Sequence, residues 1–210
     1  MARYTGPVCR LCRREGLKLF LKGEKCYTKC VFEHRPLPPG QATTTRRKKQ
    51  TEYGVQLREK QKVRRYYGVL ERQFEKYFVE AERRNGVTGD NLLQLLEARL
   101  DNVVYRLGMA RSRPEARQLV RHGHFQLNGH RADIPSMEIK PGDVLVLHQR
   151  SRSHPIFQEI LETSSSRVIP DWLSFERDAW SGRILSTPRR PEGDIEMQEQ
   201  LIVEWYSRRI

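Results

Sequence analysis

Long apolar runs are missing from this chain of 210 residues. No stretch reaches the roughly 18 consecutive apolar residues that a membrane-spanning helix needs. The first residues, MARYTGPVC, lack the apolar core of a secretory signal peptide, so we expect a cytoplasmic protein. An anionic membrane surface is a poor candidate partner, because no strongly apolar amphipathic face accompanies the basic segments.

Acidic residues are scarce in the first third of the chain. Residues 1–65 hold 18 Lys or Arg and only 5 Asp or Glu, whereas residues 66–210 hold 21 of each. The net charge of +13 therefore resides entirely in the first 65 residues. A polyanion is the natural partner of such a segment, and nucleic acid is the commonest one.

Catalytic signatures are also missing. The sequence contains no Gly-rich phosphate loop and no H-x-E with C-x-x-C pattern of a nucleic-acid deaminase. Asp171 and Asp178 have no neighbours that would supply a general base or an oxyanion site. We therefore expect a binding protein and no enzyme.

Cysteine is scarce, and all four cysteines lie within residues 1–35. Cys9, Cys12, Cys26 and Cys30 form C-x2-C and C-x3-C pairs that are separated by thirteen residues. In a reducing compartment this spacing predicts one structural Zn²⁺ per chain, held by four thiolates. So short a segment cannot bury enough apolar surface to fold alone, and the metal would supply the missing stability. Free thiols or a disulfide are the alternatives, and His34 is a possible substitute ligand.

Proline and glycine interrupt residues 36–51, which predict a linker. This linker carries a basic run, Arg46, Arg47, Lys48 and Lys49. We interpret the run as an arm that becomes ordered on RNA phosphates, and the alternative is a solvated, mobile face.

Two helices are predicted within residues 52–85. The first runs from Glu52 to about Tyr66 and carries further candidates for RNA contact on one side, Arg58, Lys62 and Arg65. The second runs from about Val69 to Arg84 and has an aromatic arc that needs a packing partner.

Apolar periodicity is clearest between residues 90 and 152. Leucines and valines at helical spacing predict one helix from near Asp90 to a stop at Gly108. Ser112 and Glu115 form a capping box that begins a second helix, which ends at Gly123. Asn128-Gly129 then predicts a type I′ hairpin turn, and residues 144–147 read as a buried strand.

Polar and basic side chains follow this second helix and the hairpin. Arg113, Arg117 and Arg121 recur every four residues, so they form a row along one edge of the helix. A guanidinium group matches phosphate oxygens in a bidentate manner. The alternative is that these arginines pair with acids such as Glu115 or Asp101. On either interpretation their substitution should change stability little, because exposed ion pairs contribute about 0–1 kcal/mol. The candidate RNA contacts of this region are Arg113, Arg117, Arg121, His122, His124, Asn128 and Arg131.

The last third of the chain has few regular signals. Residues 153–192 predict loops that join short pieces, with Trp172, Phe175 and Trp180 in local packing. Residues 201–206 fit one face of a short helix.

These segments carry a family resemblance. RLDNVVYRLG, SRPEARQLVRHGH, the Asn-Gly hairpin and KPGD resemble the RNA-binding module named after ribosomal protein S4. PVCRLCRREG, RPLPPGQ, LREKQKVRRYYG and EQLIVEWYSR extend the resemblance to the whole length of the bacterial S4 family. Two departures are visible, because the family usually has one more residue within the second cysteine pair and His-Gly in place of Ala42-Thr43.

The resemblance implies an α+β fold with three parts. A Cys-rich basic arm and linker, residues 1–50, would precede a helical domain of residues 51–90, which residues 195–210 would complete. An inserted domain, residues 91–194, would contain the module at about residues 97–152.

The resemblance also implies a structural constituent of the small ribosomal subunit that binds 16S rRNA early in assembly of the subunit body. It implies a place near the mRNA entrance, ribosomal protein S5 as a neighbour, an influence on decoding accuracy and, as in some members, bound zinc. The alternatives are an RNA-modifying enzyme, since pseudouridine synthases carry the same module as an accessory, or another RNA-binding protein that shares the module. Such an enzyme would need a second sizeable domain with a catalytic cleft.

Overall fold

The computed structural model describes residues 3–40, 49–164, 168–188 and 195–208. The chain divides into two compact units, residues 1–92 with 193–210 (the first unit) and residues 93–192 (the second unit). Of the predicted basic run, Arg46, Arg47 and Lys48 lie outside the described residues. No helix in the described ranges is long and apolar enough to span a membrane.

Helices predominate among the described residues, and five strands accompany them. The helices are α1 (Cys9–Glu15), α2 (Lys25–Thr28), α3 (Val31–His34), α4 (Glu52–Tyr66), α5 (Glu71–Arg83), α6 (Thr88–Glu97), α7 (Leu100–Arg106), α8 (Arg113–Arg121), α9 (Gln149–Arg152), α10 (Pro155–Ser164) and α11 (Glu199–Ser207). The strands are β1 (Phe125–Leu127), β2 (His130–Arg131), β3 (Val144–Leu147), β4 (Leu173–Glu176) and β5 (Ser181–Ile184). The predicted α+β class is confirmed.

The first unit is built around α4, α5 and α11. On α5, Phe74 and Phe78 lie one turn apart on the buried face of the helix. The ring of Tyr206 on α11 stacks on Phe78, with 4.1 Å between the centroids. The ammonium of Lys60 on α4 lies 3.7 Å from the centroid of Trp205. The aromatic arc of α5 thus finds its packing partner in the last helix.

The second unit packs helices against one antiparallel sheet with strand order β2-β1-β3-β5-β4. The buried core combines α7 and α8 with the sheet, through residues such as Val104, Leu119 and Phe125. Asn128 and Gly129 adopt φ values of 50° and 82°, as a type I′ turn between β1 and β2 requires. The predicted hairpin and the strand at residues 144–147 are therefore confirmed.

The single helix predicted from Asp90 to Gly108 is wrong. Arg99 is extended, with a ψ of 138°, and separates α6 from α7. A neighbouring segment supplies the hydrogen bonds at the break, because the N–H of Leu100 donates to the carbonyl of Met137 at 2.9 Å. The side chain of Asn102 also donates to the carbonyl oxygen of Glu97 at 3.0 Å. Apolar periodicity could not reveal the break, since it continues across both helices.

The view of residues 153–192 as loops with local packing is also wrong. Within this region α10 contributes Phe157, whose ring is fully buried and meets that of Trp180 edge to face at 6.0 Å. Strands β4 and β5 complete the sheet beside β3. Trp172 and Trp180 therefore belong to the main core of the second unit.

Candidate nucleic-acid interface

The four cysteines lie around the small core of the N-terminal arm. Cys12, Cys26 and Cys30 are buried, and Cys9 is partly buried. Burial raises the pKa of Cys12 and Cys26, and the proximity of the other thiols raises it further. The N–H of Lys22 donates to Cys26 Sγ at 3.3 Å. Among the described residues, no three ligand-type side chains are gathered as a metal site.

The same arm carries many exposed cations. Exposed basic side chains of the arm are Arg3, Arg10, Arg14, Lys22, Lys25, Lys29 and Arg35. Two arginines of α1 also hold the start of the linker, because Arg13 donates to the carbonyl of Leu37 at 2.8 Å and Arg14 to that of Pro39 at 3.2 Å. Lys49, at the far end of the linker, is exposed as well. The arm therefore presents a dense positive surface to solvent.

The basic candidates on α4 are engaged within the first unit. Arg58 and Arg65 both pair with Glu15, whose side chain is 1% exposed. Burial raises the pKa of Glu15, while the two guanidinium groups act in the opposite direction. Lys62 pairs with Glu59 at 2.7 Å. Arg58 and Arg65 therefore hold α4 to α1, whereas Lys62 pairs within α4 itself. The structure does not place any of the three on an open basic face.

The predicted arginine row does not lie on one exposed edge. Arg113 is 7% exposed and donates to Asn102 Oδ1 at 2.8 Å. Its guanidinium also lies 4.4 Å from the centroid of Tyr105. Asn102 in turn donates to Glu97, which also accepts two bonds from Arg106. Arg113 is therefore part of an internal polar network.

Arg117 belongs to a second internal network. Asp101 accepts two bonds from Arg99, at 2.7 and 3.0 Å, and one from Arg117 at 2.9 Å. The side chains of Asp101 and Arg117 are only 5% and 12% exposed. The pair with Asp101 agrees with the alternative interpretation of Arg117, but the expectation that such a pair is exposed is wrong. Arg121, one turn further along α8, is the exposed member of the row.

An exposed basic corner lies where α8 ends and the hairpin begins. It comprises Arg121, His122 and Arg131, all exposed. The guanidinium of Arg131 lies so close to Gly123 that a Cβ on this glycine would come within 2.8 Å of it. Asp133 is the acid beside Arg131, at 3.6 Å. The structure thus brings three of the seven candidates of this region together at the surface.

His124 lies at the edge of this corner and is partly buried. Its Nδ1 is 2.9 Å from the hydroxyl of Ser151, and its ring centroid is 6.1 Å from that of His122. Burial lowers the pKa of His124, and His122, His154 and His148 lower it further.

Sequence reasoning missed His148 and His154 as neighbours of the predicted histidines. The pairing of β1 with β3 could have indicated this proximity, because it places His148 beside His124. The backbone N–H of His148 donates to the carbonyl of His124 at 2.8 Å.

Asn128 is occupied by the fold of the turn. Its amide donates to Asp143 at 2.8 Å and accepts from the N–H of Val144 at 2.8 Å. Its predicted contact with RNA would have to use the second N–H of the side-chain NH2 group, since the first donates to Asp143.

Comparisons with known proteins cover nearly the whole chain. Residues 3–97 match the family model described as ribosomal protein S4/S9 N-terminal domain, and residues 98–145 match the S4 domain. The chain is 61% identical to small ribosomal subunit protein uS4 of Thermoanaerobacter sp. (strain X514) and 57% identical to that of Natranaerobius thermophilus. It is 59% identical to small ribosomal subunit protein uS4A of Symbiobacterium thermophilum. Each match extends over 209 residues and covers 99% of this chain and 100% of the relative.

Proposed function

The chain belongs to the uS4 family of small ribosomal subunit proteins, and from this premise we propose that it is a structural component of the small subunit that binds 16S rRNA. The observation that carries the proposal is its similarity, over the full length, to relatives of that name. These relatives are structural ribosomal proteins, so the expectation that the chain is not an enzyme is confirmed, and the RNA-modifying alternative is set aside.

Two exposed basic surfaces support the binding of rRNA. In the first unit, the arm carries Lys22, Lys25 and Lys29 among its exposed cations. In the second unit, the basic corner contributes Arg121 and Arg131. Cations of this kind neutralise phosphates and position a protein on RNA without reading its sequence.

The finer role follows from the family. We propose that the protein binds 16S rRNA early in assembly of the subunit body. We also propose that it lies near the mRNA entrance beside ribosomal protein S5, where it influences decoding accuracy. Footprinting of the protein on 16S rRNA tests the first part, and cross-linking within purified subunits tests the second.

The binding experiment uses the full chain in a salt series. Replacing Lys22, Lys25 and Lys29 with Gln should lower the log–log salt slope by about 0.7–0.9 for each phosphate contact that is lost. The control replaces Lys76 and Arg83, which are exposed on α5, with Gln. A wild-type protein that neither binds 16S rRNA nor sediments with small subunits would contradict the proposed function.

We further propose that Cys9, Cys12, Cys26 and Cys30 hold one structural Zn²⁺. Four cysteine thiols within one short arm support it, since zinc binds such groups as thiolates. The thiols are near enough to one another to raise the pKa of Cys12 and Cys26. The N–H of Lys22, which donates to Cys26 Sγ, would favour the thiolate form.

Metal analysis tests this proposal directly. Protein purified without chelator should contain about one zinc per chain. Replacement of Cys9 and Cys12 by Ser should release the metal and make residues 1–35 sensitive to protease, while the second unit melts as before. Wild-type protein without zinc would refute the proposal.

A further inference from the structure

Two aromatic rings are stacked at the surface of the N-terminal arm. The rings of Phe20 and Tyr27 lie 5.0 Å apart, with 29° between their planes. Tyr27, on the short helix α2, is 62% exposed. An exposed aromatic ring offers a flat apolar surface on which another planar group can stack. We call this pair the aromatic step.

The backbone holds Phe20 in place to form the step. Phe20 has a φ of 50°, a left-handed conformation that a bulky residue rarely adopts. Its neighbours Leu19 and Leu21 are buried in the core of the arm, at 0% and 7% exposure. Because both flanking side chains are fixed inside, the strained turn directs the Phe20 ring to Tyr27. Strain of this kind is typical of functional sites.

Exposed lysines lie close in sequence to the aromatic step. Lys22, Lys25 and Lys29 are exposed, and Tyr27 lies between the last two in sequence. Within the described residues, no ion pair joins any of these lysines to a carboxylate. The acid of this segment is Glu24, which is exposed, and Glu33 of α3 pairs with Lys18 at 2.5 Å. The local charge therefore favours an anionic ligand.

We propose that the aromatic step is a binding site for an unpaired RNA base, which stacks on the exposed ring of Tyr27 while the three lysines contact the flanking phosphates. The proposal rests on the proposed function, and it adds that the N-terminal arm contacts the RNA through base stacking as well as through phosphates. Unpaired bases stack on exposed aromatic rings regardless of their identity. A protein partner fits this surface less well, because the centres of protein interfaces are depleted in lysine.

The first test measures the affinity of full-length protein for 16S rRNA and for a single-stranded RNA oligonucleotide. Tyr27→Leu should weaken binding by roughly 5- to 150-fold, the equivalent of one lost base stack. The salt slope should stay unchanged, because stacking neutralises no phosphate. Tyr27→Trp should bind as tightly as the wild type. Tyr53→Leu is the matched control, since Tyr53 is 50% exposed on α4, away from the lysines in sequence.

The second test does not depend on a substitution. RNA that carries 5-iodouracil should cross-link to Tyr27 on irradiation, and mass spectrometry of the cross-linked peptide identifies the residue. The proposal is overturned if Tyr27→Leu binds both RNAs as the wild type does. It is also overturned if the cross-links map outside residues 20–27. A wild-type protein that binds neither RNA overturns the proposed function itself, so the two failures are distinguishable.

Discussion

Arg117 should contribute more to folding than to RNA binding. Its guanidinium donates to Asp101 at 2.9 Å, and Arg99 approaches the same carboxylate at 2.7 Å. All three side chains are at most 12% exposed. Changing Arg117 to Glu would place a second carboxylate beside a buried one.

The structure sets the size of the effect. Arg117→Gln removes one charge-assisted hydrogen bond but leaves Asp101 neutralised by Arg99, so we expect a loss of about 1.5–3 kcal/mol. Arg117→Glu also adds a buried repulsion, and breaking a buried pair in this way costs about 3–5 kcal/mol. In a unit of about 100 residues, each kcal/mol lowers the melting temperature by roughly 4–8 °C. Arg117→Glu should therefore lower the melting temperature of the second unit by more than about 10 °C.

The assay compares thermal melting with RNA binding in two variants of one helix. Arg121→Glu, one turn further along α8 and exposed, should change stability by no more than about 0.5 kcal/mol. It should nevertheless weaken rRNA binding and lower the salt slope, because Arg121 belongs to the basic corner. If Arg117→Glu has the same melting temperature as the wild type, the buried network does not exist in solution. If that variant also loses affinity for rRNA, Arg117 is an RNA contact after all.

Three further predictions concern the second unit. Phe157→Ala should lower the free energy of unfolding in urea by about 3–5 kcal/mol, because removal of the buried ring that packs on Trp180 leaves a cavity. A loss near zero would mean that α10 packs only locally. Gly123→Ala should lower the free energy of unfolding by about 1–2 kcal/mol, because the φ of 76° at this position disfavours a residue with a side chain. It should also weaken rRNA binding, because the new methyl group displaces the guanidinium of Arg131. Binding isotherms at fixed salt would detect this loss. Since burial lowers the pKa of His124, the unfolded state binds this proton more tightly than the folded state, and stability should fall as pH drops below about 6.5. Melting curves from pH 7.5 to 5.5 should show a smaller loss for His124→Gln than for the wild type.

Local chemistry allowed much of the fold to be predicted from the sequence. Ser112 caps its helix as predicted, since its hydroxyl accepts from the N–H of Glu115 at 3.4 Å. The capping box is not completed as predicted, because the Glu115 carboxylate accepts from the N–H of Arg111 at 2.7 Å and not from that of Ser112. The Asn-Gly dipeptide forms the expected turn, and α4 runs from Glu52 to Tyr66 as its periodicity indicated. Each of these features depends on residues within a few positions of one another, where propensity and turn geometry decide the conformation.

The candidate RNA contacts were predicted less well. The sequence indicated that the arm is basic, and Lys22, Lys25, Lys29 and Lys49 are indeed exposed. It could not tell Arg121, which is open to solvent, from Arg113 and Arg117, which have the same spacing but donate to Asn102 and Asp101. Helical spacing places residues on one side of a helix and says nothing about what packs against it.

The sequence by itself determined the charge asymmetry, the cysteine spacing, the hairpin turn and the family motifs, because these are properties of neighbouring residues. Only the tertiary structure decided where the long helix breaks, which cations are buried and where Tyr27 meets Phe20. Each of these outcomes depends on groups that are distant in sequence or on a strained turn. A buried charge or a helix break persists only where the surrounding fold supplies the missing hydrogen bonds.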